Sequence, residues 1–142
     1  MYDKRLWEVM EKRKLLKAPP AMTVREAARM MADKGMGAVM VLKDERLVGI
    51  FTERDAVFRV IALGRSAEAT PVADVMTPDP QTLGPNARFG TALALMHKNG
   101  FRHVPVVDDG KLLGVVMARQ ALDPDMEDFV AEARRREYFA DV

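Results

Sequence analysis

The sequence predicts an α+β fold made of two copies of one β-α-β-β-α unit, packed sheet to sheet with pseudo-two-fold symmetry and followed by a C-terminal helix. Two observations predict it. The second half of the chain repeats the first at an offset of 65 residues, and each copy passes from helical to strand-like hydrophobic spacing in the same order. One such unit buries too small a core to be stable alone, so the two copies must pack against each other.

The duplication runs without a gap from Pro20 to Ala56. Chance similarity between two amphipathic helices would not keep glycines and strands in register as well. A shift of one further residue also aligns Val9-Met10 with Val75-Met76, two stretches that we call the leading segments because each leads into a repeat. The predicted boundaries are 4–68 for the first repeat, 69–122 for the second and 123–142 for a helical tail. Identical residues at matching positions include Pro20 and Pro85, Ala27 and Ala92, Gly35 and Gly100, Gly49 and Gly114, and Arg54 and Arg119.

Each copy contains the same elements. In the first, Thr23 and Glu26 are predicted to form a capping box, in which a hydroxyl and a carboxylate satisfy free amides at a helix start, and Gly35 ends the helix. Two apolar strands then flank a polar turn, and Thr52 begins a second helix that ends at Gly64. The corresponding segments are the strands Ala38–Leu42 and Leu47–Phe51 in the first copy, and the helix Phe89–Asn99, the strands Val104–Val107 and Leu112–Val116, and a short helix from Ala118 in the second.

Composition excludes several classes of function. The 22 Lys and Arg residues nearly balance the 21 Asp and Glu residues, and a net charge of +1 indicates neither a nucleic acid nor a membrane as the main partner. The absence of cysteine excludes disulfides, thiolate metal sites and a cysteine nucleophile. No signal peptide is evident, and no apolar run reaches the roughly 18 residues that cross a membrane, so we expect a cytoplasmic protein.

Catalytic motifs are missing from the sequence. Its two histidines, His97 and His103, have no serine or acidic partner at motif spacing. No phosphate-binding loop, zinc-protease motif or dinucleotide glycine motif occurs. The pattern therefore predicts a protein that binds without catalysing, with no catalytic residues and no metal site.

One strand-to-helix turn carries a recognisable motif, Val48-Gly49-Ile50-Phe51-Thr52-Glu53-Arg54-Asp55. It resembles the ribose-binding segment of cystathionine-β-synthase (CBS) repeats, in which Gly is followed by Thr or Ser and then by Asp. Val75-Met76-Thr77 and Arg102-His103-Val104-Pro105 resemble further marks of that family. The resemblance implies a Bateman module, in which two repeats form two clefts for adenosine-type ligands such as AMP, ADP, ATP, NAD or S-adenosylmethionine. It also implies that two modules pair into a flat homodimer.

The chemistry of this turn suits a nucleotide. A turn that enters a helix presents free amides to an anion, and Gly49 would let a ligand approach the backbone. Asp55 could accept hydrogen bonds from both ribose hydroxyls, Thr52 could cap the helix or contact the sugar, and Arg54 could pair with phosphate. A structural role is the alternative, with Thr52 only as an N-cap and Asp55 only as a favourable acidic residue in a first turn.

Other residues are placed at the same ligand by the resemblance, in which the ligand of one repeat also contacts the leading segment and middle strand of the other. Arg102 and His103 would then add positive charge near the phosphate, unless they are simply a solvent-facing pair at a strand edge. The residues expected to bind nucleotide are Gly49, Thr52, Arg54, Asp55, Met76, Thr77, Asp79, Gln81, Arg102, His103 and Val104.

The second copy departs from the motif. Met117 stands where the first copy has Thr52, and Gln120 where it has Asp55. A thioether is a poor hydrogen-bond acceptor, and an amide carries no charge. The second cleft is therefore expected to bind ribose poorly, and to be empty, filled by side chains or selective for another ligand.

Two functions fit this pattern. The first is a regulatory module that binds an adenine nucleotide and acts on a separate effector protein, and the second is a structural dimerisation module with decayed ligand sites. Either version is expected to be a homodimer, because contiguous apolar helix faces usually mark interfaces. The apolar faces are expected to include Val57, Phe58, Ile61, Leu93 and Met96, and the tail adds a stripe of Met126, Phe129, Val130 and Ala133 that packs either on its own chain or on a partner.

Overall fold

The computed structural model describes residues 2–122, so the predicted tail helix at 123–142 lies outside the described residues. Helices and strands alternate in the predicted order in both repeats. Within residues 2–122, no helix is long and apolar enough to span a membrane. The elements are α1 (Leu6–Val9), β1 (Lys17–Ala18), α2 (Val24–Lys34), β2 (Ala38–Lys43), β3 (Arg46–Thr52), α3 (Glu53–Asp55, continued by a π-helix over Ala56–Ile61), a 3₁₀ helix (Val72–Asp74), β4 (Thr77–Pro78), α4 (Phe89–Asn99), β5 (His103–Asp108), β6 (Lys111–Met117) and a 3₁₀ helix (Ala118–Ala121).

The strands form two sheets. One has the order β1-β2-β3-β4, with β1 parallel to β2 and the other neighbours antiparallel, and the second is the β5-β6 hairpin. The two long hairpins share their register, because Val41 lies opposite Gly49 and Val106 lies opposite Gly114. Each hairpin also has an irregularity directly after that valine. The duplication therefore preserves backbone geometry as well as side-chain pattern.

Two-residue turns close both hairpins. Asp44 and Glu45 have φ angles of 52° and 65°, and Asp109 and Gly110 have φ angles of 50° and 77°. Such turns match the twist of paired strands when both central residues have positive φ, which Asp and Gly adopt more readily than most residues. Glu45 takes the same conformation, so the first turn is the more strained of the two.

The leading segments cross between the repeats. Thr77 of β4, the residue after Met76, pairs with Ile50 of the first repeat. Glu11, the residue after Met10, bridges to Val115 of the second repeat. Leu6 of α1 is likewise fully buried against the second repeat. Each repeat is therefore completed by the segment that leads into the other one, and the two units form a single interlocked body.

Two apolar cores lie behind this exchange. The first packs α2 and the continuation of α3 on the larger sheet around Phe51, and the second packs α1 and α4 on the hairpin around Phe89. Both phenylalanines are fully buried, which stabilises the fold by roughly 1.5–3 kcal/mol for each side chain. Val115 and Met117 of β6 belong to the first core, so the two sheets pack against each other as predicted.

Helix α2 has the predicted cap on one side only. The Thr23 hydroxyl accepts a hydrogen bond of 3.2 Å from the Glu26 amide, and Gly35 ends the helix with a φ of 65°. Within the described residues, the Glu26 carboxylate makes no bond back to the Thr23 amide. The cap is therefore a single hydrogen bond, and the predicted capping box is not formed.

The structure corrects one surface expectation. Val57, Phe58 and Ile61 are exposed, with Ile61 at 72%, but Met96 is only 3% exposed and Leu93 packs against the second core. Met96 lies seven residues after Phe89, on the same face of α4, and that face covers the hairpin. Of the residues expected on this apolar face, the exposed ones are therefore those on the helix of the first repeat.

Candidate functional site

The turn between β3 and α3 holds Asp55 in a defined position. Its Oδ2 accepts hydrogen bonds from the Thr52 amide at 2.8 Å and from the Thr52 hydroxyl at 3.2 Å. The same hydroxyl accepts a bond of 3.4 Å from the Asp55 amide. Asp55 is 7% exposed, and within the described residues its Oδ1 accepts no hydrogen bond. The carboxylate is thus fixed through one oxygen and has the other available as an acceptor.

The charge of Asp55 is balanced inside its own helix. Arg59 lies four residues later, one helical turn away, and its Nε is 3.6 Å from Oδ1 of Asp55. Burial holds the pKa of the Asp55 carboxyl above its ordinary value, and the Thr52 amide and then Arg59 offset only part of that rise. A buried carboxylate with such neighbours is suited to accept hydrogen bonds from a ligand's hydroxyl groups.

Gly49 faces the leading segment of the second repeat. A Cβ at Gly49 would lie 2.8 Å from Cε and 3.0 Å from Cγ of Met76, and closer still to its sulfur. The glycine therefore admits the Met76 side chain against the strand, which corrects the expectation that it leaves open room for a ligand. Thr77 follows on β4 beside Ile50. The structure thus brings Met76 and Thr77 to the strand that ends in Thr52.

Three of the expected residues are engaged elsewhere. The Asp79 amide donates to the Val48 carbonyl at 3.0 Å, and Asp79 lines an open depression at the other end of β3. Gln81 donates through its amide to Oδ1 of Asn99 at 3.2 Å. The Arg54 guanidinium lies 5.0 Å from the ring centre of Phe58 on the exposed helix face. Asp79 and Gln81 are therefore placed away from Asp55, whereas Arg54 lies against Phe58 and its charge still lowers the pKa of the Asp55 carboxyl.

A separate cavity lies between the two strand-to-helix turns. Its volume is about 380 Å³, and residues of both repeats line it. The amides of Glu53 and Ala118, which occupy matching positions, donate to the carbonyls of the matching residues Gly37 and Arg102 at 3.0 and 2.9 Å. The cavity is lined by Gly37, Glu53, Arg102, His103, Met117, Ala118 and Arg119.

His103 does not carry the positive charge expected of it. Burial and, after it, the positive charges of Arg119 and Arg102 together lower the pKa of His103 to about 4. The imidazole is therefore neutral at pH 7, and Arg102 and Arg119 supply the positive charge of the cavity. Val104, the next residue, is fully buried in the second core and does not line the cavity.

Sequence reasoning missed Arg119, Glu53 and Arg59. Arg119 is the counterpart of Arg54, so the repeat itself contained the signal. Glu53 stands inside the recognised motif, but its direction toward the cavity depends on the packing of both repeats. Arg59 could have been suspected from its position four residues after Asp55.

In the matching turn of the second repeat, both polar atoms of the Gln120 side chain make hydrogen bonds within the protein. Gln120 accepts a hydrogen bond of 2.8 Å from the Met117 amide, as Asp55 does from Thr52. Its Nε2 donates a bond of 2.6 Å to the carbonyl of Val9 in the first leading segment. Met117 is 5% exposed. The position that would hold a ribose is therefore occupied by contacts within the protein.

The fold and this pair of turns define a protein of two CBS repeats. The CBS domain family matches residues 7–62 and 72–124, and the chain belongs to that family. Within residues 2–122, no group of three His, Asp or Glu side chains is arranged to hold a metal ion.

Relatives of the chain carry the same domain. It is 36% identical over 97 residues to the CBS domain-containing protein YhcV of Bacillus subtilis (strain 168), covering 68% of this chain and 69% of YhcV. It is 37% identical over 99 residues to the mitochondrial CBS domain-containing protein CBSX3 of Arabidopsis thaliana, covering 66% of this chain. The chain spans about half of that relative, 48% of its length.

A solved structure adds a ligand to the comparison. A CBS domain protein from Pyrobaculum aerophilum, complexed with AMP, matches with a TM-score of 0.77 and 26% sequence identity. The match covers 92% of this chain and 100% of the Pyrobaculum protein. The backbone of this chain is thus closely similar to one that accommodates AMP.

Proposed function

We propose that this chain is a regulatory CBS-pair protein that binds one adenine nucleotide in the cleft of its first repeat. The observation that carries the proposal is the contrast between Asp55, whose Oδ1 is available as an acceptor, and Gln120, whose amide is fully engaged. The AMP complex of the Pyrobaculum relative supports an adenosine ligand.

In the proposed complex, Asp55 accepts hydrogen bonds from the two ribose hydroxyls and Thr52 keeps the carboxylate in place. Met76 and Thr77 flank the adenine, while Gly49 lets Met76 lie against the strand. We leave three side chains out of the proposed contacts, because Asp79 lines the depression at the other end of β3, Gln81 bonds to Asn99 and Val104 is buried.

The phosphate of the nucleotide would enter the cavity between the turns. Glu53 lies in that cavity and precedes Asp55 by two residues, so a ligand held at Asp55 has a short path to Arg102 and Arg119. The cavity has two arginines, one glutamate and a neutral His103, and so its formal charge is only +1. A single phosphate suits this charge better than a triphosphate. We therefore propose AMP as the best ligand of the series AMP, ADP and ATP.

The proposed output is a change in how the protein associates. Val57, Phe58 and Ile61 form an exposed apolar face on the continuation of α3, directly after Asp55. We propose that this face joins two chains in a homodimer, and that the nucleotide shifts the balance between arrangements that a separate effector protein distinguishes. The role requires binding and no chemical step.

One observation favours a second candidate function, that of a structural dimerisation module. Gln120 and Met117 fill the second cleft, and the same loss could have removed regulation altogether, which would leave a structural dimerisation module. Adding AMP, ATP, NAD or S-adenosylmethionine separately while the protein is heated distinguishes the two functions, because a ligand of the folded state raises the melting temperature. The regulatory proposal predicts the largest rise with AMP. No rise with any of the four would support the structural module.

A further inference from the structure

One arginine joins the proposed ribose carboxylate to the other repeat. Nη1 of Arg59 donates to the carbonyls of Val75 and Met76 at 3.2 and 3.1 Å, and its Nε lies 3.6 Å from Oδ1 of Asp55. The first two contacts reach the leading segment of the second repeat, and the third reaches the turn of the first. Arg59 therefore contacts both sides of the proposed cleft.

In the second repeat, a different residue bonds to the matching carbonyl of the leading segment. The carbonyl of Val9, which matches that of Val75, receives its hydrogen bond from Gln120. At the repeat offset, the position that corresponds to Arg59 is Pro124, which has no side-chain donor. In the second repeat, Gln120 at the ribose position itself bonds to the leading segment. In the first repeat, Arg59 makes the equivalent bond, and Asp55 at the ribose position does not.

From this difference between the repeats we infer that Arg59 is a positioning residue. It orients the Asp55 carboxylate so that the carboxylate can accept hydrogen bonds from both hydroxyl groups of a ribose. The inference rests on the proposed function. Thr52 fixes Oδ2 by two hydrogen bonds, and Arg59 attracts Oδ1 by charge at a distance too long for a hydrogen bond. The plane of the carboxylate is therefore fixed while Oδ1 keeps its acceptor capacity.

Sugar selectivity is the expected consequence. A carboxylate held in one plane can accept from two adjacent hydroxyls at once, whereas a freely rotating one gains less from the second hydroxyl. The protein should therefore prefer AMP to 2′-deoxy-AMP by about tenfold or more, which corresponds to one hydrogen bond to a charged group. Met76 is held by the same arginine, so the adenine side of the cleft is placed relative to the sugar side.

Calorimetric titration of full-length wild type and Arg59→Met with AMP and with 2′-deoxy-AMP tests the inference. We expect Arg59→Met to weaken AMP binding by about tenfold and 2′-deoxy-AMP binding by much less, so that the preference for ribose falls toward one. Arg59→Lys keeps a positive charge beside Asp55 and should retain most of the preference. Arg29→Met is the matched control, because Arg29 is exposed and has no ion pair or hydrogen-bond partner within residues 2–122.

The outcomes separate this inference from the proposed function. If Arg59→Met weakens both nucleotides equally, Arg59 only supports the fold, and the inference is wrong while nucleotide binding stands. The same holds if wild type binds AMP and 2′-deoxy-AMP with equal affinity. If wild type binds neither, the proposed function fails and the inference fails with it. Should Arg59→Met not fold, the neutral variant Arg59→Gln decides: loss of its ribose preference without loss of 2′-deoxy-AMP binding would support the role, and an unchanged preference would overturn it.

Discussion

At the scale of residues, Asp55 and Gln120 show how one substitution changes the use of a turn. Both accept a hydrogen bond of 2.8 Å from the amide at the end of the preceding strand. Gln120 also donates to Val9, which an ionised carboxylate cannot do. The amide therefore completes the fold with both of its polar atoms, whereas Asp55 needs Arg59 beside it and keeps an acceptor for a ligand.

His103 allows a prediction about pH. Its pKa is about 4 when folded and about 6.5 in an unfolded chain, so the unfolded state binds more protons between these values. The stability linked to this histidine is therefore fully present above pH 6.5 and is lost as the pH falls toward 4, by an amount on the order of 3 kcal/mol. Denaturant unfolding at several pH values measures the free energy of unfolding of wild type and of His103→Gln. The advantage of wild type in this free energy should shrink or reverse as the pH falls.

Imidazole NMR checks the same residue directly. The chain has only two histidines, so the signals of His97 and His103 are readily assigned by comparison with the His103→Gln variant. We expect AMP to raise the pKa of His103, because a phosphate in the cavity stabilises the protonated ring. A His103 that titrates near 6.5 in the free protein would contradict the described burial between Arg102 and Arg119.

At the scale of elements, each leading segment packs against a glycine of the other repeat, at Gly49 in β3 and at Gly114 in β6. A Cβ at Gly114 would lie 2.8 Å from the backbone oxygen of Glu11 and 2.9 Å from the sulfur of Met10. At Gly49 the three nearest atoms all belong to the Met76 side chain. The two glycines thus occupy equivalent positions with different tolerance, because a methionine side chain can move and a paired backbone cannot.

The pair Gly114→Ala and Gly49→Ala tests this difference. We expect Gly114→Ala to lower the free energy of unfolding by about 1–3 kcal/mol, as overpacking against backbone does, and Gly49→Ala to lower it less. Gly49→Ala should instead weaken AMP binding, because Met76 must leave its place. Denaturant titration and calorimetry measure the two effects, and equal loss of stability in both variants would argue against the described seating.

Sequence reasoning succeeded where information is local and failed where it is tertiary. The capping pattern of Thr52 and Asp55 and the turns at Asp44 and Asp109 depend on neighbouring residues, and the structure contains them. The charge of His103 depends on burial and on arginines brought together by packing, so its neutrality is not predictable from the sequence. Met96 was placed on the surface because helical spacing identifies a face without telling which element covers it.

At the scale of the whole molecule, the crossing of the leading segments makes one body of two repeats. Asp55 and Met76 come from different repeats, and Arg59 contacts both of them where β4 pairs with β3. The duplication predicted both units and their pairing, and the family resemblance placed Met76 and Thr77 beside the turn. Neither identified Arg59, whose contacts to Val75 and Met76 exist only after the repeats have interlocked.

The exposed face of the first repeat predicts the assembly. Ile61 is 72% exposed and Phe58 56% exposed, and a contiguous apolar face of this kind is usually covered by a partner. Light scattering should give a mass near twice the chain's 15.9 kDa, and Ile61→Lys should halve it. Trp7→Lys, at another exposed apolar residue, should leave it unchanged. A wild-type mass of one chain at tens of micromolar would contradict the dimer, and a monomer with Trp7→Lys alone would move the interface to α1.

The asymmetry of the two clefts is the central claim, and calorimetric titration with AMP tests it most directly. Wild type should bind close to one AMP per chain. Asp55→Ala should weaken binding by about one to two orders of magnitude, because hydrogen bonds to a carboxylate are worth about 1.5–3 kcal/mol. Gln120→Ala should leave AMP affinity nearly unchanged. Two equivalent sites per chain, or a loss with Gln120→Ala as large as that with Asp55→Ala, would contradict the assignment of the nucleotide to the first repeat.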